Sequence, residues 1–257
     1  VAFTDADCVP EPDWLEKLCR SFDRDRIGAV TGRIRACAAD TLVGRYLAVT
    51  AFDPGARDRL ATCVAFGEGT AGGNSAVRVA ALQDAGMFDE SFRVAQDWEL
   101  GLRLLKAGWW IRYTREAVVR HLHPERSVGD LARLAAKYGR GRPAIVARHF
   151  RNRVFLSAFG RTLTARAPWT AHIQLTSPEK VVLGLCAAGL RWPWAWWLLP
   201  AYAVYLAVRI RRAARTRGDV RVRTGELPGM VALQLLESVV SNGRALGESL
   251  LVGTLCV

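Results

Sequence analysis

Two aspartates, Asp5 and Asp7, stand one residue apart at the end of a short apolar run. Carboxylates at i and i+2 after a strand can both reach one divalent cation where the chain turns, and such hard oxygen ligands suit Mg2+ or Mn2+. The same stretch, "DADCVPEPDW", also reads as a solvated acidic turn or as the cap of a following helix. A second acidic pair, Asp97 and Glu99, opens "QDWELGLRLLKAG". A carboxylate there either satisfies free N–H groups at a helix start or, beside an acceptor hydroxyl, serves as a general base. Gly73 and Asn74 close the run "GEGTAGGN", whose N–H groups and amide can meet a phosphate or a sugar, or simply lead into the next element. His121 and His123 alternate on one extended segment and share a face, as metal or phosphate ligands or as solvent-facing histidines. Arg140 and Arg142 in "KYGRGR" put two guanidiniums on a glycine-flexible turn, either a diphosphate clamp or a basic face against lipid headgroups.

The elements that must position these groups follow from periodicity. Val1 to Thr4 and "IGAVTGRIRA" read as strands, as do "WWIRYT" and "AVVRHLH". "PEPDWLEKLCRSF" carries Trp14, Leu15, Leu18, Cys19 and Phe22 on one helical face, and "DTLVGRYLAVTAF" reads as a helix capped by Asp40. "SAVRVAALQDAG" predicts a helix closed by Gly86, and "QDWELGLRLLKAG" one closed by Gly108. Alternating strands and helices predict an α/β layer structure. After Pro124 the pattern changes to basic amphipathic helices, "SVGDLARLAAKYGRGR" and "PAIVARHFRNRVFLSAF", with no strand between them.

The net charge of +12 rests almost wholly on arginine, with lysine only at positions 17, 106, 137 and 180. Phosphate-bearing partners or an anionic membrane surface fit that balance. Nucleic acid is not expected, because the arginines are densest beside the most hydrophobic segment, where juxtamembrane basic residues belong. Residues 181–208 hold one charge, Arg191, and "WPWAWWLLPAYAVYLAV" holds none over 17 residues. At ~1.5 Å per residue that run reaches about 26 Å, short of a hydrocarbon core of about 30 Å. A re-entrant or in-plane helical pair with tryptophans 192, 194, 196 and 197 at the interface is expected; the alternative is a buried helix pair packed on the rest of the protein. The final stretch, "MVALQLLESVVSNGRALGESLLVG", reads as an amphipathic helix. Six cysteines without a CxxC pair or zinc-like spacing predict a reduced, cytosolic setting.

Taken in order, "TDAD", "GGNSAVR", "GMFDESF", "QDWELGLRL" and "HLH" resemble the C-terminal half of the catalytic domain of family 2 glycosyltransferases, the inverting GT-A type. The resemblance covers about residues 1–125. It implies that the α/β part is a partial GT-A (Rossmann-like) domain over 1–125; composition and periodicity then predict a basic amphipathic helical region over 126–178 and hydrophobic and amphipathic, membrane-associated helices over 179–257. The resemblance also implies that the chain is a fragment whose donor-binding βαβ half lies upstream.

By the same resemblance Asp5 and Asp7 hold the donor diphosphate through a divalent metal, Mg2+ or Mn2+, with Asp7 the direct ligand. Asp97 is the catalytic base, and Gly73, Asn74, Asp89, Glu90, Gln96 and Trp98 line the acceptor side. His121 and His123 are further candidate ligands, and Arg140 and Arg142 candidate donor contacts. The usual Glu-Asp pair is Gln96-Asp97 here, and no QxxRW motif follows, which speaks against a processive synthase. The expected partners are a nucleotide sugar, a lipid-linked or polysaccharide acceptor, and membrane lipids, with the catalytic domain on the cytoplasmic side of the cell membrane. A sugar-phosphate nucleotidyltransferase, or a non-catalytic membrane scaffold, are the competing readings.

Overall fold

The computed structural model describes residues 1–37, 40–217 and 220–257. The chain divides into two compact units, Val1–Ala38 with Ala51–Pro124, and Ala39–Thr50 with Glu125–Val257.

In the first unit the strands are β1 (Ala2–Phe3), β2 (Cys8–Pro10), β3 (Ile27–Ala36), β4 (Arg59–Ala61), β5 (Ser75–Val77) and β6 (Trp110–His121). They form one mixed sheet of order β1-β5-β3-β6-β2, with β4 also paired to β6. β3 and β6 run parallel; the other pairs are antiparallel. Helix α1 (Trp14–Arg20) covers one face, packing Leu18 with Ile27, Val30, Ala76 and Ala117. Helices α3 (Val79–Asp84) and α4 (Gln96–Lys106) cover the other, through Leu82, Leu100, Leu104 and Leu105 against Ala29, Val77, Ile111 and Tyr113. Ile27 and Ala29, two residues apart, would share a face in a regular strand. A register shift between them sends them to opposite cores.

In the second unit helix α2 (Leu42–Thr50) joins α5 (Val128–His149), α6 (Pro178–Arg191), α7 (Leu198–Arg217) and α8 (Leu227–Val252), with a four-stranded sheet. That sheet has the order β10-β9-β7-β8 and is built from β7 (Arg153–Ala158), β8 (Arg161–Arg166), β9 (Ala171–Gln174) and β10 (Leu255–Cys256). α5 and α8 approach closely: a Cβ on Gly139 would lie 2.4 Å from the Ser241 carbonyl oxygen. A polar network crosses this packing, in which Glu179 accepts from Ser177 (2.6 Å) and Asn242 (2.8 Å), and Asn242 in turn accepts from Arg142 (2.7 Å).

Several expectations are corrected. Arg153–Ala158, expected within a basic helix, is strand β7, because Phe159 and Gly160, both at positive φ, make a two-residue turn into β8 and β9 supplies a second partner. "KYGRGR" is no turn: α5 runs through it to Pro143 and beyond. "SAVRVAALQDAG" splits at Arg78 into β5 and α3, since Ser75–Val77 fill the gap between β1 and β3. "WWIRYT" and "AVVRHLH" belong largely to one strand, β6. The Thr41 hydroxyl, not Asp40, accepts the Gly44 N–H at the start of α2. Of the face expected on α1, Leu18 is buried while Leu15 and Cys19 are exposed. Among the described residues no helix is long and apolar enough to cross a membrane.

Candidate active site

The Asp5–Cys8 segment is a tight turn, closed by the Cys8 N–H donating to the Asp5 carbonyl at 3.0 Å. β2 then pairs with the C-terminal end of β6, and Cys8 stands directly opposite His121. Cross-strand partners present their side chains on one face. The Leu122 N–H donates to the Asp7 carbonyl at 2.8 Å and locks the register. The result is a convergence of Asp7, Cys8 and His121, whose ligand atoms all lie within 4.8 Å of one another. Asp7 Oδ2 is 3.2 Å from His121 Nε2, and His121 Nδ1 is 3.1 Å from His123 Nε2. Burial, with the negative charges of Asp5 and Asp7 beside it, pushes the Cys8 thiol up to about 11. The expected set of Asp5, Asp7, His121 and His123 is therefore regrouped. Asp5 and His123 lie outside the converging trio, and Cys8, which the spacing rules for zinc sites passed over, lies inside it.

Asp5 faces the glycine loop instead. A Cβ on Gly73 would lie 2.9 Å from Asp5 Oδ2, and Thr4 Oγ1 donates to the Gly73 carbonyl at 3.2 Å. On the next residue of the same loop, the Gly72 N–H donates to Asp97 Oδ2 at 2.7 Å. Adjacent glycines thus sit between the two acidic motifs, their Cα atoms only about 3.8 Å apart.

Asp97 lies in the first turn of α4, where partial positive charge favours a carboxylate, and its Oδ1 accepts the Trp98 N–H at 2.8 Å. Ala95, which precedes the helix, is held at φ 62°, an uncommon conformation for a residue with a Cβ. Loop and helix meet backbone to backbone: Thr70 Oγ1 donates to the Asp97 carbonyl at 2.7 Å, and a Cβ on Gly101 would lie 2.4 Å from the Thr70 nitrogen. At the loop's other end the Tyr113 hydroxyl accepts the Gly69 N–H at 3.0 Å, and Arg59 lies 3.4 Å over the Tyr113 ring. Glu99 does not accompany Asp97. It is fully buried and paired with Arg103, which also reaches the Ala85 carbonyl and so ties α4 to the end of α3.

Asn74, expected on the acceptor side, is bonded into the frame of the loop. It is fully buried, its amide donates to the Arg33 (2.8 Å) and Ala117 (2.9 Å) carbonyls, and its oxygen accepts from Trp14 Nε1 at 2.7 Å. Asp89 closes a local turn by accepting from the Ser91 N–H (2.9 Å), and Phe88 packs edge-on against Phe3 of β1 at 5.4 Å. The "GMFDESF" loop therefore rests on the strand that leads to Asp5. Glu90 and Gln96 are exposed, and Trp98 packs edge-on against Phe66. Arg140 and Arg142 belong to the second unit, where Arg142 donates to Asn242 and Arg140 pairs loosely with Glu248 at 3.8 Å.

Of the residues missed at the sequence level, Cys8 had a signal, its place directly after Asp7; Trp14 and Tyr113 had none, because each reaches the loop across 40 or more residues of chain.

The chain is 31% identical over 151 residues to the pre-mycofactocin glycosyltransferase of Mycobacterium tuberculosis in two strains, CDC 1551 / Oshkosh and ATCC 25618 / H37Rv. The match covers 58% of this chain and 32% of each relative, so the chain spans about a third of the length of these relatives. The model of the family described as "Glycosyl transferase family group 2" matches residues 1–209, the whole first unit with its acidic motifs included, and the chain belongs to that family.

Proposed function

We propose that this protein is a membrane-associated inverting glycosyltransferase, moving a sugar from a nucleotide-sugar donor to a hydroxyl of a lipid-linked or polysaccharide acceptor. The observation that carries the reading is the pinning of Gly72 by Asp97 and the seating of Gly73 against Asp5. A base and a donor-side carboxylate separated by one dipeptide suit an in-line displacement, in which both ends of the reacting bond are held in one place.

Asp97 takes the proton of the acceptor hydroxyl as that oxygen attacks the anomeric carbon. Its bond to Gly72 leaves lone pairs for that proton while fixing the carboxylate's direction. Asp5, Asp7 and His121 border the donor diphosphate. A divalent cation held at Asp7 would neutralise the charge of the departing nucleoside diphosphate. Arg140 and Arg142 are not carried into this reading, because both belong to the second unit, where Arg142 is tied to Asn242 and Arg140 is exposed beside Glu248.

Membrane association is supported by the second unit's surface. Trp192 (51%), Trp194 (63%) and Trp197 (79%) are exposed, Gly189 is the one buried residue of α6, and the arginines of α7 follow close behind. Tryptophans and arginines in that order suit an in-plane seat on the cytoplasmic leaflet.

The test is Asp97→Asn in the full-length protein. The asparagine oxygen can still accept from Gly72, so the loop is kept while the base is lost. Transfer should fall by roughly 10²–10⁴-fold with donor affinity retained. Unchanged turnover would sink the assignment.

A further inference from the structure

Mg2+ has no use for a thiol, yet the carboxylate best placed to hold an ion shares its corner with Cys8. We propose that Asp7, Cys8 and His121 form a site for a borderline divalent cation of the zinc type, binding it in preference to Mg2+.

Three observations carry this. The first is the donor set itself: one carboxylate oxygen, one sulfur and one imidazole nitrogen within 4.8 Å of each other. Carboxylate, thiolate and imidazole together suit Zn2+ and its neighbours, whereas Mg2+ takes oxygen ligands. Ligand atoms bound tetrahedrally at about 2.0–2.3 Å stand roughly 3.3–3.8 Å apart. Asp7 Oδ2 and His121 Nε2, at 3.2 Å, are already at that spacing. Cys8 Sγ lies within 4.8 Å of both. Three protein ligands leave a fourth position open, as in zinc sites that take an exchangeable ligand.

The second is the backing of the imidazole. His123 Nε2 lies 3.1 Å from His121 Nδ1. With Nδ1 protonated and donating to His123, the Nε2 lone pair is left toward Asp7, the tautomer that a metal-bound histidine adopts.

The third is the rigidity and openness of the frame. Cys8 and His121 are register partners, and the Asp5–Cys8 turn and the Leu122–Asp7 bond fix both strands in place. Across from them the loop carries Gly73, whose missing Cβ would sit 3.5 Å from the Cys8 sulfur. A larger residue would fill the space over the thiol. On binding, the Cys8 proton leaves to solvent and the sulfur enters as thiolate. Because Asp7 is common to this site and to the proposed donor end, zinc and a hard ion exclude one another there.

The site is shared with the functional reading above, but its test needs no sugar. The purified protein is titrated with Co2+ as a zinc substitute and followed by absorption spectroscopy. A thiolate-to-cobalt charge-transfer band should appear, vanish on addition of equimolar Zn2+, and persist in a large excess of Mg2+. Cys8→Ser should abolish the band, with circular dichroism confirming that the variant is folded. His123→Ala keeps all three ligands and should weaken zinc binding about tenfold, the loss typical of an outer partner. Displacement of the band by Mg2+, a folded Cys8→Ser protein that keeps it, or bound Co2+ with no band would each overturn the proposal. Absence of sugar transfer by the Mg2+-supplied protein, with the band present in the Co2+ titration, would count against the functional reading alone.

Discussion

Asp97 reaches back over 25 residues of chain to accept the Gly72 N–H at 2.7 Å, so that the start of one helix is joined to the middle of a glycine loop. The neighbouring Gly73 lies against Asp5, which opens the turn after the first strand. Two acidic motifs far apart in sequence thereby share a single dipeptide, and the consequences can be measured.

The two glycines should differ sharply in their tolerance of a methyl group. At Gly72 a Cβ would lie 3.5 Å from Asp97 Oδ2, an ordinary contact, whereas at Gly73 it would lie 2.9 Å from Asp5 Oδ2. Gly72→Ala should keep most of its activity. Gly73→Ala must displace the Asp5 carboxylate or the loop, and a shift of about 1 Å can cost on the order of 100-fold in rate. Steady-state transfer assays on the pair decide this; equal effects would show that Asp5 does not depend on the loop.

Asn74→Ala should act on folding. It leaves the Trp14 indole N–H and the carbonyls of Arg33 and Ala117 without their partner in a fully buried place. At roughly 1–3 kcal/mol for each unmet group, with partial relaxation, a loss of about 2–5 kcal/mol is expected in denaturant titration. A variant of undiminished stability with a raised acceptor KM would instead return Asn74 to the acceptor site.

Acidification should loosen the second unit through His172. This histidine is 1% exposed; burial, with the cations Arg142 and Lys180 near it, pulls it down to about 4. The folded protein resists a proton that the unfolded chain accepts near 6.5, so the neutral ring's contribution is complete above pH 6.5 and is lost as pH falls toward 4. Thermal melts across that window should show a falling midpoint, and His172→Gln should flatten the slope between pH 6.5 and 4. Glu179 acts lower on the scale. Burial alone would raise it, but hydrogen bonds from Ser177, Ser238 and Asn242 outweigh burial and bring it down to about 2. Its contribution, complete above pH 4.5, fades as pH falls toward 2.

Trp194 and Trp197 should govern adsorption to lipid. Each indole can bury about 150–250 Å2. Replacing both with alanine should lower partitioning onto vesicles containing anionic lipid by about tenfold or more, read by co-sedimentation. Added salt should weaken the remainder through the arginines of α7. Undiminished binding by the double variant would remove these tryptophans from the interface.

Much of this was legible along the chain. Strand β3 runs from Ile27 to Ala36 as its β-branched run indicates, and α4 follows its leucine spacing from Gln96 to Lys106, with Gly108 at φ 89° beyond its end. Local sterics and periodic burial decide such elements, and both are written in neighbouring residues. The acidic motifs and the glycine loop were likewise visible as types and spacings.

Other assignments were beyond the reach of local pattern. The stretch up to Phe159 has the composition of an amphipathic helix, but Arg153–Ala158 pairs with β8 and β9, and β9 in turn pairs with Leu255 and Cys256 of β10, partners that local pattern does not contain. Asn74, which the sequence left open between ligand contact and loop, and Glu99, the companion of Asp97 in its motif, are both bonded inside the protein, by Trp14, Arg33 and Ala117 in one case and by Arg103 in the other. The chain alone thus determined which chemistries were available, through Asp5, Asp7, Asp97 and the histidines. Tertiary structure decided which of them meet. Cys8 joins Asp7 because β2 pairs with the end of β6 in one register, and a slip of a single residue would turn its thiol to the opposite face of the sheet.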